Sequence, residues 1–118
     1  MADSARFSQS HAIIYETIIV ADNYNAGVSM DSINMGKYNH GTLIIVGDVA
    51  CAGAGVVTMM AGASNGTETA AITFTERHTL TDVASTTADV LTDAATSAAL
   101  ALTEAYIRSG MYVIEWDT

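Results

Sequence analysis

Apolar positions come in short runs separated by stretches rich in Gly, Asn, Thr and Ala. The run Leu43-Ile44-Ile45-Val46 lies between Gly41-Thr42 and Gly47-Asp48. As a β-strand it sends Leu43 and Ile45 to one face and Ile44 and Val46 to the other, because side chains alternate with period two. Both faces are then apolar. A chain of 118 residues makes one core but cannot wrap a sheet thickly on both sides. The second face is covered either by a neighbouring molecule or by a crossing loop of the same chain. HAIIYETIIVAD near the N-terminus poses the same question, with Ile14, Ile18 and Val20 as further apolar positions. Its β-branched residues favour a strand, although the spacing also fits a short amphipathic helix.

The remaining pattern is that of short strands. NYNAG reads as a turn, VSMDSI as a strand, NMGKYNHG as a loop and CAGAG as a turn or bulge. VVTMM and AAITFTE flank Asn65-Gly66, a strong hairpin signal. In AAITFTE, Ile72 and Phe74 point one way and Thr73 and Thr75 the other, with Glu76 and Arg77 ending the strand. Residues 78–103 favour short strands, with a helix over DVLTDAATSAALALTEAY as the competing reading. MYVIEWD closes the chain as a strand with Tyr112, Ile114 and Trp116 on one face. This predicts an all-β fold, an antiparallel β-sandwich or jelly-roll-like barrel with short connecting loops. Residues 1–10 are expected to form a flexible N-terminal arm and residues 11–118 a single β domain. The predicted core is Leu43, Ile45, Ile72, Phe74, Val113 and Trp116. The predicted interface is Ile14, Ile18, Val20, Ile44 and Val46.

Charge narrows the function. The net charge is −9, with Arg6, Lys37, Arg77 and Arg108 as the only cations besides histidine, so electrostatic binding to nucleic acid or an anionic membrane is not expected. Glu16 interrupts the first apolar run, no signal sequence is expected, and no run is long enough to span a bilayer. The lone Cys51 cannot form an internal disulfide and reads as a small buried hydrophobe. His11, His40 and His78 are too far apart in sequence to suggest a zinc site. Asp82, Asp89 and Asp93 lack the spacing of a calcium loop. There is no G-x-S-x-G elbow, and the glycines of CAGAG match no phosphate-binding motif. No catalytic residue, metal or cofactor is therefore expected. Tyr15, Tyr24, Tyr38, Tyr106 and Trp116 would have to align on one exposed face for a carbohydrate- or receptor-binding β-module.

The order INMGKYNHGTLIIVGDVACAG, VVTMMAGASNGTETAAITFTE and ADVLTDAATSAALALTEAYIRSGMYVIEWD resembles a group of small tailed-bacteriophage virion proteins. The shared features are an M-x-x-Y-x-H turn into an apolar strand, a G-A-S-N-G hairpin into an A-I-T-F strand, and a closing M-Y-V-I-E-W-D strand, over about residues 30 to 118. The resemblance implies a head decoration or cement protein that binds and stabilises the capsid, with a neck or tail structural protein as the alternative. It implies the major capsid protein or another virion protein as partner, and a location in the virion head after synthesis in the host cytoplasm. An assembly with many repeated copies would supply the missing cover for the two-faced strand. A homo-oligomer, with a trimer favoured, is the corresponding expectation.

Overall fold

The structure, a computed structural model, describes residues 30, 32–47, 55–79 and 91–118. Among these residues, seven strands form two antiparallel sheets. They are β1 (His40–Val46), β2 (Val56–Ala61), β3 (Ala70–Ile72), β4 (Phe74–His78), β5 (Ala95–Ser97), β6 (Ala99–Ala101) and β7 (Met111–Asp117). The first sheet has the order β1-β7-β4-β5 and the second β3-β2-β6. A six-residue helix, α1 (Glu104–Ser109), precedes β7, and a short 3-10 turn (Met35–Lys37) precedes β1. The architecture is all-β and sandwich-like.

Alternation in β1 and β7 determines what each face carries. Leu43 lies opposite Ile114 and Ile45 opposite Tyr112, which places all four on the inner face. Ile45, Phe74, Leu102, Ile107, Tyr112 and Ile114 are buried as one cluster. Val57 and Met59 from β2 and Leu100 from β6 pack on that cluster from the second sheet. Burying each large aliphatic side chain contributes about 1.5–3 kcal/mol. Gly41 lies opposite Trp116, and a Cβ at Gly41 would fall 2.1 Å from the indole. The glycine leaves room for the ring to lie across the strand.

The chain changes sheet at two neighbouring corners. AAITFTE is not one strand. It breaks at Thr73, with β3 in the second sheet and β4 in the first. Ala98 separates β5 from β6 in the same way, and the two corners are adjacent because Phe74 pairs with Ser97. Strands that bend from one sheet to the next build the corners of a sandwich. Both parts of AAITFTE keep the period-two pattern, so alternation does not reveal the break.

Several other expectations change. The strand expected to end at Glu76 and Arg77 continues to His78, and Glu76 faces inward and is buried. Val113, expected in the core, instead faces outward opposite Ile44 and is half-buried, because its neighbours Tyr112 and Ile114 take the inner positions. Ile72 is half-buried opposite Met59, while Leu43 and Trp116 are half-buried against the cluster. The described residues of VSMDSI, Met30, Ser32 and Ile33, are exposed and form no strand. In the Thr- and Ala-rich region, residues 95–101 form strands and 104–109 form the helix, so each reading holds for part of it. The expected strand HAIIYETIIVAD, the N-terminal arm and all of the CAGAG turn but Gly55 lie outside the described residues.

The hairpin at Asn65-Gly66 is present. β2 and β3 pair in the register Met59↔Ile72, Met60↔Ala71 and Ala61↔Ala70. The connection runs over residues 62–69, and its tip closes with Thr67 N–H donating to the Ser64 carbonyl at 3.0 Å. Gly66 supplies φ +84 at this tip, a conformation that costs glycine nothing.

Candidate functional site

The outward face of β1 and β7 is divided along the strand direction. One half is apolar. Ile44 and Val46 are 58% and 59% exposed, and Met111 is 37% exposed. Register places Val46 opposite Met111 and Ile44 opposite the half-buried Val113, so the four side chains form a contiguous patch. Scattered exposed apolar residues are ordinary, but a contiguous group marks an interaction surface more often. Arg77, beside Val113 on β4, borders the patch.

The other half is polar and acidic. His40 lies opposite Asp117, and its Nδ1 is 2.9 Å from Asp117 Oδ1. Its Nε2 is 3.5 Å from Glu115 Oε1. The hydrogen bond to Asp117 is the main reason His40 titrates above the ordinary histidine value. Partial burial opposes the shift, and the Glu115 carboxylate adds to it. His40, Thr75, Thr96, Glu115 and Asp117 line an open depression of about 470 Å³.

A second cluster lies inside the sandwich. Glu76 Oε2 is 3.2 Å from His78 Nδ1. The His78 ring stacks on Tyr106 at a centroid distance of 4.3 Å and tilts against Tyr112 at 5.1 Å. The Tyr112 hydroxyl accepts the Thr103 N–H at 2.9 Å, at the N-terminal end of α1, where the Thr103 side chain makes no cap. Thr79 Oγ1 accepts the Met111 N–H at 2.9 Å. This network ties the helix to both strands. A buried polar group needs such partners, since leaving one unsatisfied costs about 1–3 kcal/mol. Sequence reading missed it because Glu76 looked like a strand terminus and His78 like an isolated histidine.

His40 and His78 lie on opposite faces of the sheet, which separates two of the three histidines considered as ligands. Among the described residues, no group of His, Cys, Asp and Glu is arranged to hold a metal ion. Tyr106 and Trp116 are half-buried in the packing, while Tyr38 is exposed on its own stretch of chain. Asp93 is exposed. His11, Ile14, Tyr15, Ile18, Val20, Tyr24, Cys51, Asp82 and Asp89 lie outside the described residues. Among the predicted interface positions, Ile44 and Val46 come together on the outer face. Met111 and Val113 join them, and the alternation of MYVIEWD carries the signal for both. No helix among the described residues is long and apolar enough to cross a membrane. No protein-family model, curated protein or solved structure matches the chain.

Proposed function

We propose that the chain is a structural protein of a tailed-bacteriophage virion, a head decoration or cement protein that docks on the capsid through the outer face of β1 and β7. The observation that supports this reading is the contiguous apolar patch of Ile44, Val46, Met111 and Val113 on a small acidic domain. A capsid surface would cover the patch, and a shell repeats the contact many times. Burying Ile44 alone is worth about 1.5–3 kcal/mol, from which the cost of ordering the partners is deducted. The acidic half of the face limits non-specific adhesion before assembly. The reading includes self-association into a closed homo-oligomer, a trimer favoured, and assigns the chain no catalytic role and no cofactor.

The test is immunolabelling of purified phage particles with an antibody raised against the recombinant chain. Regularly spaced label on the head is the expected result in electron micrographs. Label confined to the neck or tail would select the neck or tail reading, and unlabelled particles would overturn the virion assignment.

A further inference from the structure

The tip of the β2–β3 hairpin carries chemistry unrelated to the apolar face. Asn65 precedes the one residue type that leaves the following backbone nitrogen sterically open, and a Cβ added to Gly66 would meet nothing within 4 Å. Two further side chains, Glu68 and Ser32, converge there. The Gly66 N–H donates to Glu68 Oε2 at 2.8 Å. Ser32 Oγ lies 3.2 Å from Asn65 Oδ1 and also donates to Glu68 Oε1. Ser32, Asn65 and Gly66 are exposed, so water has access. The Ser32 hydrogen bond is the main reason the Glu68 carboxyl titrates below its ordinary value.

We propose that Asn65-Gly66 is an autocatalytic deamidation site, in which Glu68 accepts the proton of the Gly66 nitrogen and Ser32 stabilises the Asn65 amide oxygen. The Gly66 nitrogen attacks Asn65 Cγ, so an N–Cγ bond forms and the Cγ–Nδ2 bond breaks. The proton taken by Glu68 passes to the departing amide nitrogen, which leaves as ammonia. Water then opens the succinimide at either carbonyl and yields aspartate or isoaspartate at position 65. No oxidant or reductant is needed. Ser32 has one hydroxyl hydrogen for two acceptors. As Glu68 takes up the amide proton it loses its demand for that hydrogen, and the hydroxyl can turn to the oxyanion forming on Asn65. Each event adds one negative charge. The isoaspartate product also routes the backbone through the former side chain, within the loop that the Ala61↔Ala70 pair closes.

The experiment incubates the full chain at neutral pH and follows residue 65 by peptide mapping and by isoaspartyl methylation. The folded chain is compared with the same chain unfolded in guanidinium and with folded Glu68→Gln and Ser32→Ala variants. The expected result is faster conversion in the folded chain than in the unfolded one. A positioned proton acceptor commonly contributes 10²-fold or more, and for a carboxylate acting on an amide we expect a loss of roughly tenfold to a hundredfold in Glu68→Gln. Ser32→Ala is expected to slow conversion by a smaller factor. Conversion no faster folded than unfolded would overturn the proposal, and so would a folded Glu68→Gln variant that matches the parent. If Glu68→Gln does not fold, the comparison of folded and unfolded parent decides.

Discussion

Phe74 is 2% exposed at the first position of β4, immediately after the corner at Thr73, and it belongs to the buried cluster on which both sheets pack. Phe74→Ala is expected to destabilise the fold by about 3–5 kcal/mol, the usual cost of removing a buried aromatic ring. A denaturant melt checks it, and a loss below about 1 kcal/mol would mean that the ring's site collapses readily or is not core. His40 allows a test that does not depend on burial. Its pKa is raised chiefly by Asp117, so the protonated form is favoured in the folded chain. The associated stability is complete at pH values below the ordinary histidine value and is lost as pH rises through the higher folded value. An NMR titration is expected to place His40 above an ordinary histidine, and Asp117→Asn is expected to remove most of the shift. A normal midpoint in the parent would mean that the contact does not persist in solution.

At the scale of elements, close approach matters more than propensity. Gly110 joins α1 to β7, and a Cβ there would lie 1.5 Å from Thr79 Oγ1. That oxygen is close to its own backbone, buried, and engaged by the Met111 N–H, so it has little room to move. Gly110→Ala is expected to cost about 1–3 kcal/mol through overpacking, measured by thermal unfolding. A melt unchanged from the parent would show that helix and strand can separate freely. The sequence made β1, β7 and the hairpin legible because each carries a local signal, period-two alternation or Asn-Gly. It left the corner at Thr73 hidden, since alternation runs on from Ile72 to Phe74 although the sheet changes, and it left the one at Ala98 hidden because the small residues around it carry no apolar contrast. Val113 shows the same limit at one position. Its residue type suits a core, yet Tyr112 and Ile114 occupy the inner face on either side. Of the candidate face, Ile44 and Val46 were legible from the two-faced strand, whereas its acidic half depends on pairing His40 with Asp117, residues distant in sequence.

For the whole molecule, the proposed assembly surface and the core are separable. Replacing Ile44 and Val46 together by Thr removes apolar area from exposed positions, and stability is expected to change by no more than about 0.5 kcal/mol for each exposed site. Self-association measured by light scattering is expected to weaken markedly. Equal association in parent and variant would remove the patch from the interface. Deleting residues 1–10, a stretch without apolar periodicity, is expected to leave the melt unchanged while weakening assembly, since a segment that orders on a partner gains its contacts there. A truncated chain that unfolds would make that stretch part of the fold.

The order β1-β7-β4-β5 has a further consequence during synthesis. β7 is the last of the described strands in sequence, yet it lies between β1 and β4, and its pairing partners in β1 are about 70 residues earlier, as in His40↔Asp117. Until β7 has left the ribosome, β1 and β4 lack their common neighbour. Leu43 and Ile45 therefore lack their β7 partners, Ile114 and Tyr112, until then. Contacts this distant along the chain make for slow folding, and an incomplete chain leaves unpaired strand edges and apolar faces open to aggregation. Completion of this sheet thus waits for β7, the last of its described strands to be synthesised.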